Sequence, residues 1–184
     1  NIGHQLTQGT TDSNEIWLEL TLSAGGRVIG RSGRLDSAGE VDPWAYFLNS
    51  YLLDREGNRI ERRNAQDIFV ALYDHQIPPG AASVVHYAFT LPQDVDGPIA
   101  LEAKLQYRKF DSRFLRHVLA DAYQGNELPI TTLASDRLVL PLSGATGEVP
   151  AQSFPVAAWE RWNDYGIGLL RQGSRGASKR GLRQ

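Results

Sequence analysis

The chain has 184 residues, of which 41% are hydrophobic and 22% charged, with a formal net charge of −2. That length and composition suit one ordinary globular core, and the near-neutral charge offers no footprint for nucleic acid or an anionic membrane. No apolar run approaches the ~20 residues of a membrane span, and the absence of cysteine excludes disulfides, thiolate metal sites, a cysteine nucleophile and covalent haem attachment within the chain.

Residues 14–23, NEIWLELTLS, alternate strictly. Ile16, Leu18, Leu20 and Leu22 take one face; Trp17, Glu19 and Thr21 take the other. Period two over this length predicts a half-buried strand. Ala24-Gly25-Gly26 turns the chain, and residues 27–31 read as the returning strand. A loop containing Gly and Asp runs to Pro43, and residues 44–53 are aromatic-rich and extended. Residues 54–58, DREGN, carry turn chemistry, because Gly57 and Asn58 tolerate positive φ. Residues 59–62 are expected to pair back as a short strand. Residues 64–73 admit two readings, a short helix capped by Asn64 or a broken strand.

Pro78 and Pro79 lack amide donors and fix φ, so regular structure ends there. Residues 83–91 and 99–107 alternate again and are predicted as strands. Residues 111–123 read as helix or loop, and residues 128–142 as one or two final strands. Seven or eight short strands with evenly spaced turns predict a mainly β fold, an antiparallel Ig-like β-sandwich over residues 1–142 rather than a parallel sheet. Residues 143–155, SGATGEVPAQSFP, read as a linker, residues 156–172 as a C-terminal helix, and residues 173–184 as a flexible basic tail. Val156, Trp159, Trp162, Ile167 and Leu170 would each gain ~1.5–3 kcal/mol on burial, so the helix is expected to pack on the sandwich or on a neighbouring chain. No leader segment precedes Asn1 and there is no methionine, so a fragment or a processed product is expected.

Four histidines are the candidate ligands, since neutral imidazole binds haem iron and transition metals. His4 lies in a polar loop before the first strand. His75 precedes the Pro-Pro turn, and His86 alternates with Val85 and Tyr87 on the next predicted strand. A hairpin would bring these two within a cross-strand distance of ~5.5 Å, with Asp74 as the third ligand of a metal site; the plainer reading is turn hydrogen bonding. His117 reads as a solvated or packing residue. Asp12, Asn14, Asp36, Glu40 and Asp42 carry oxygen donors, but no stretch matches the twelve-residue calcium loop, so turn and capping roles are expected.

No nucleophile elbow, Walker loop, dinucleotide fingerprint or H-E-x-x-H occurs, so the chain alone is not expected to be an enzyme. Arg62-Arg63 and Arg108-Lys109 read as solvated or ion-paired strand ends, or as docking points for an acidic partner. Trp17 faces away from the leucines of its strand, and Trp44, Trp159 and Trp162 lie in segments able to cover it. A covered row would dock the C-terminal helix, which is the expected arrangement; an exposed row would suit sugar.

Six stretches are distinctive in combination: GHQLTQGTTDSNE (3–15), RRNAQDI (62–68), DHQIPPGAA (74–82), VVHY (84–87), YRKFD (107–111) and RWNDYGIG (161–168). Together they resemble the non-haem β domain of bacterial multihaem c-type cytochromes that carry C-terminal tetratricopeptide repeats, over nearly the whole chain. In that family C-x-x-C-H haem sites precede the β domain and helical repeats follow it. The resemblance implies export to the periplasm or cell exterior. It implies haem c in the parent protein but none held by this chain, with the haem-bearing and helical-repeat regions as partners. It makes His4, near the junction with the haem region, a candidate axial ligand, and it offers haem propionates as a use for the basic pairs. The tail begins a tetratricopeptide pattern at Gly166, Leu169 and Gly173, with Ala177 one residue early. The expected function is a non-catalytic accessory domain that positions or covers haems and links them to helical repeats. The alternative is an Ig-like module that binds a carbohydrate or a surface protein.

Overall fold

The computed structural model describes residues 3–7, 9, 11–142 and 152–174. The expected linker falls mostly, and the expected basic tail almost wholly, outside the described residues. Strands dominate, every strand pairing is antiparallel, and a helix closes the described chain, an arrangement compatible with a β-sandwich. No helix among the described residues is long and apolar enough to cross a membrane. The chain divides into two compact units: Asn1–Asp12, Leu48–His86 and Ser153–Gln184 form one, and Ser13–Phe47 with Tyr87–Gln152 the other.

The second unit is built on a five-stranded sheet of β1 (Glu15–Ala24), β2 (Arg27–Ser32), β3 (Tyr46–Phe47), β6 (Ile99–Arg108) and β7 (Thr131–Leu140), in the order β2-β1-β6-β7 with β3 also on β1. Gly25 and Gly26 both take positive φ, 55° and 78°, which is the two-residue turn whose twist suits a hairpin. The period-two pattern sets the register: Ile16, Leu18, Leu20 and Leu22 face Tyr107, Leu105, Ala103 and Leu101 across the sheet. Ile16, Leu20, Leu22 and Ile99 are buried on that side. The ring of Phe89 lies over Gly30 there, where a Cβ would meet it at 2.9 Å.

The opposite face of β1 is covered only at its start, at Glu15 and Trp17; Glu19, Thr21 and Ser23 stay partly exposed, as expected of a half-buried strand. Trp17 is buried against Val41 and Ala45, with Leu35 and Phe47 packed around them, and its Nε1 donates to the Gly33 carbonyl at 3.0 Å. The loop between β2 and β3 therefore covers Trp17, a role expected of the C-terminal helix. Trp44, at 90% exposure, and Trp159 and Trp162, at 73% and 71%, leave no such row of tryptophans.

Arg108 is a second correction. Of the two readings of this strand end, solvated or ion-paired, the solvated one fails, since the side chain is 0% exposed, and the ion-paired one holds, with Glu15 as partner. Its Nε donates to Glu15 Oε2 at 2.9 Å, Nη2 donates to the same oxygen, and Nη1 donates to the carbonyls of Gly39 (2.6 Å) and Asn126 (3.1 Å). Asp111 then caps α1 (Ser112–Leu119) by accepting from the Phe114 amide at 2.7 Å. A single ten-residue β7 fills the place of the one or two final strands.

In the first unit, β4 (Ser50–Leu53) pairs with β5 (Val70–Asp74). The turn after β4 forms as its sequence demands: the Asp54 carboxylate accepts from the amides of Glu56 and Asn58 and from the Asn58 side chain, and Arg59 bridges back to Leu53. Both readings of residues 64–73 are partly realised, as one 3-10 turn (Ala65–Asp67) followed by β5. The expected strand at residues 83–91 does not form; the segment joins no ladder. In this unit α2 (Ala158–Ser174) takes the place of a pairing strand. Arg171 Nη1 and Nη2 donate to the carbonyls of Ala82 (2.9 Å) and Gln76 (2.7 Å), and Gln172 donates to that of Val84.

Candidate functional site

The distinctive stretches of the N-terminal half converge in the first unit. The N-terminal loop is bridged to the segment before the Pro-Pro turn, with the Leu6 amide donating to the Ile77 carbonyl at 2.9 Å. Beside that bridge the buried Gln76 donates through Nε2 to Thr7 Oγ1 at 3.5 Å. Asp74 Oδ1 accepts from the Gln76 amide and the Ser50 hydroxyl, both at 2.9 Å. The Ser50 amide donates to Thr11 Oγ1 at 3.2 Å, and the Arg63 amide donates to Asp12 Oδ2 at 2.9 Å. Thr7 is buried at φ 73°, a left-handed conformation that costs a β-branched residue about 1–3 kcal/mol. The surrounding bonds hold it there.

His4 stands on this loop, exposed, with Nδ1 3.1 Å from the Gln5 carbonyl. A carbonyl only accepts, so Nδ1 carries a proton, and in the neutral ring the lone pair falls on Nε2. That is the tautomer of a metal-ligating imidazole with a backbone partner.

His75 and His86 take different surroundings. The His75 amide donates to the Asn49 carbonyl at 2.8 Å, extending the β4–β5 ladder by one residue. Its ring stacks on Tyr73 at 4.5 Å between centroids, Tyr73 lies 5.3 Å from Tyr51, and Arg59 covers Tyr51 at 4.7 Å. The result is a row of four side chains, with His75 stacked on Tyr73 and the two tyrosine rings tilted by 41°. Burial raises the Tyr73 phenol above its ordinary pKa; the Arg59 charge opposes this and Tyr51 adds to it. His86 lies on the segment that forms no ladder and meets α2 instead, with Nε2 3.4 Å from the Tyr165 hydroxyl and the rings edge to face. Asp74, the carboxylate expected as third ligand, serves the turn. No group of three or more His, Asp or Glu side chains among the described residues is placed to hold a metal. His117 is exposed in the last turn of α1, where a cation would suit the helix dipole.

The C-terminal helix presents two unlike faces. Gly168 is buried, and a Cβ there would lie 2.6 Å from Val84 Cγ2 and 3.2 Å from the Val84 amide nitrogen. With Arg171 and Gln172 it forms the docked face. Trp159, Trp162 and Leu170 lie on another side and are exposed; at 100° per residue they fall within one ~80° stripe. Docking thus occurs, but through Gly168, Arg171, Gln172 and the Tyr165 contact with His86 rather than through the tryptophans expected to drive it.

The Glu15–Arg108 pair and the Gly168 contact are the features that sequence reasoning missed. Glu15 and Arg108 fall on the same sheet face as Trp17 once β1 and β6 are aligned, so the register was the available signal. No family model, curated protein or solved structure matches the chain.

Proposed function

We propose that the chain is a non-catalytic interaction domain of an exported multihaem cytochrome, covering or positioning haems and joining them to helical repeats. The observation that carries this reading is the division of α2 into a docked face and a bare aromatic stripe. A helix anchored on one side and apolar on the other is suited to receive a following helix, since one helix of a repeat cannot bury its own apolar face. The exposed His4 fits the second half of the reading. Its Nε2 meets no partner among the described residues, as an axial ligand to a neighbouring haem requires. Haem c would be held covalently by the parent protein's own C-x-x-C-H sites, and tethering would make the local concentration of His4 high.

The test is the complete reading frame, produced under conditions that attach haem. His4→Ala is expected to change the spectrum and potential of one haem while the fold is preserved. Unchanged spectra of every haem would remove His4 from the proposal. The downstream sequence is expected to shield Trp159 and Trp162 from a soluble quencher, and if both stay as accessible as in the isolated chain, the linking role fails.

A second reading, an Ig-like module for a carbohydrate or a surface protein, draws support from the Arg59–Tyr51–Tyr73–His75 row. Its test is saccharide binding lost on Tyr51→Ala.

A further inference from the structure

We draw no further inference here: the strongest candidate, the apolar run of Ile68, Phe69, Val70 and Leu72 exposed on β5 of the two-stranded sheet and the two residues before it, carries nothing because no feature of the described residues shows what covers it.

Discussion

Arg108 and Glu15 stand directly opposite each other on β6 and β1 and form an ion pair withdrawn from water. The guanidinium meets three acceptors, the Glu15 carboxylate and two loop carbonyls, so the pair also fastens residues 39 and 126 to the sheet. Removing one partner of such a pair leaves a buried charge uncompensated, at a cost of about 3–5 kcal/mol. Arg108→Ala is expected to lose that much in urea unfolding. Arg108→Lys should recover only part of it, because an ammonium cannot reproduce the fork. A change under 1 kcal/mol for Arg108→Ala would mean that the pair contributes nothing.

The two central glycines of α2 should respond oppositely to alanine. At Gly168 the added methyl collides with Val84, so Gly168→Ala is expected to loosen the helix and speed its proteolytic removal. At Gly166 nothing lies within 4 Å, so Gly166→Ala should only gain helix propensity, up to ~1 kcal/mol. Hydrogen exchange of the α2 amides reads both. Equal effects of the two substitutions would show that the Val84 contact does not hold the helix.

Fluorescence separates the tryptophans. With Trp44, Trp159 and Trp162 replaced by phenylalanine, the remaining Trp17 should emit to the blue and resist acrylamide, since it is enclosed by Val41 and Ala45. The wild-type chain should be dominated by red-shifted, readily quenched emission. Easy quenching of Trp17 alone would contradict its enclosure.

Burial of Tyr73 has a consequence at alkaline pH. The folded phenol holds its proton above the ordinary value of ~10, while the unfolded one releases it there. The unfolded state then binds fewer protons, so stability falls as pH rises. The contribution is complete below the unfolded pKa and is lost as pH climbs through the folded one. Tyr73→Phe is expected to flatten this part of the stability profile above pH ~10, and an unaltered slope would assign the loss to other groups.

The strands with clean alternation, β1 and β6, were legible because the leucine face must be buried whatever its cover. Residues 83–91 alternate just as well yet form no strand. Alternation reports which side is apolar, whereas a ladder also needs a neighbour, and in the first unit the side chains of Arg171 and Gln172 take carbonyls that a strand would have used. The helix at residues 156–172 was legible from its composition. Its docked face was not, because a glycine gives no hydrophobic signal and marks a contact only once Val84 is known to lie against it. Of the candidate site, the polar loop of His4 was readable. Its bridge to Ile77 joins residues 71 positions apart and depends on the fold.

The first unit is assembled from three separated stretches of chain, whereas the second is complete once residue 152 has been made. Synthesis therefore delivers the five-stranded sheet whole while the carbonyls of Gln76, Ala82 and Val84 still await Arg171 and Gln172. Contacts this distant in sequence form slowly, because loop closure must be met before they are rewarded. During that interval the newborn chain carries an open extended segment beside the exposed apolar β5. The interval in which the carbonyls of Gln76, Ala82 and Val84 lack their donors ends when α2 arrives.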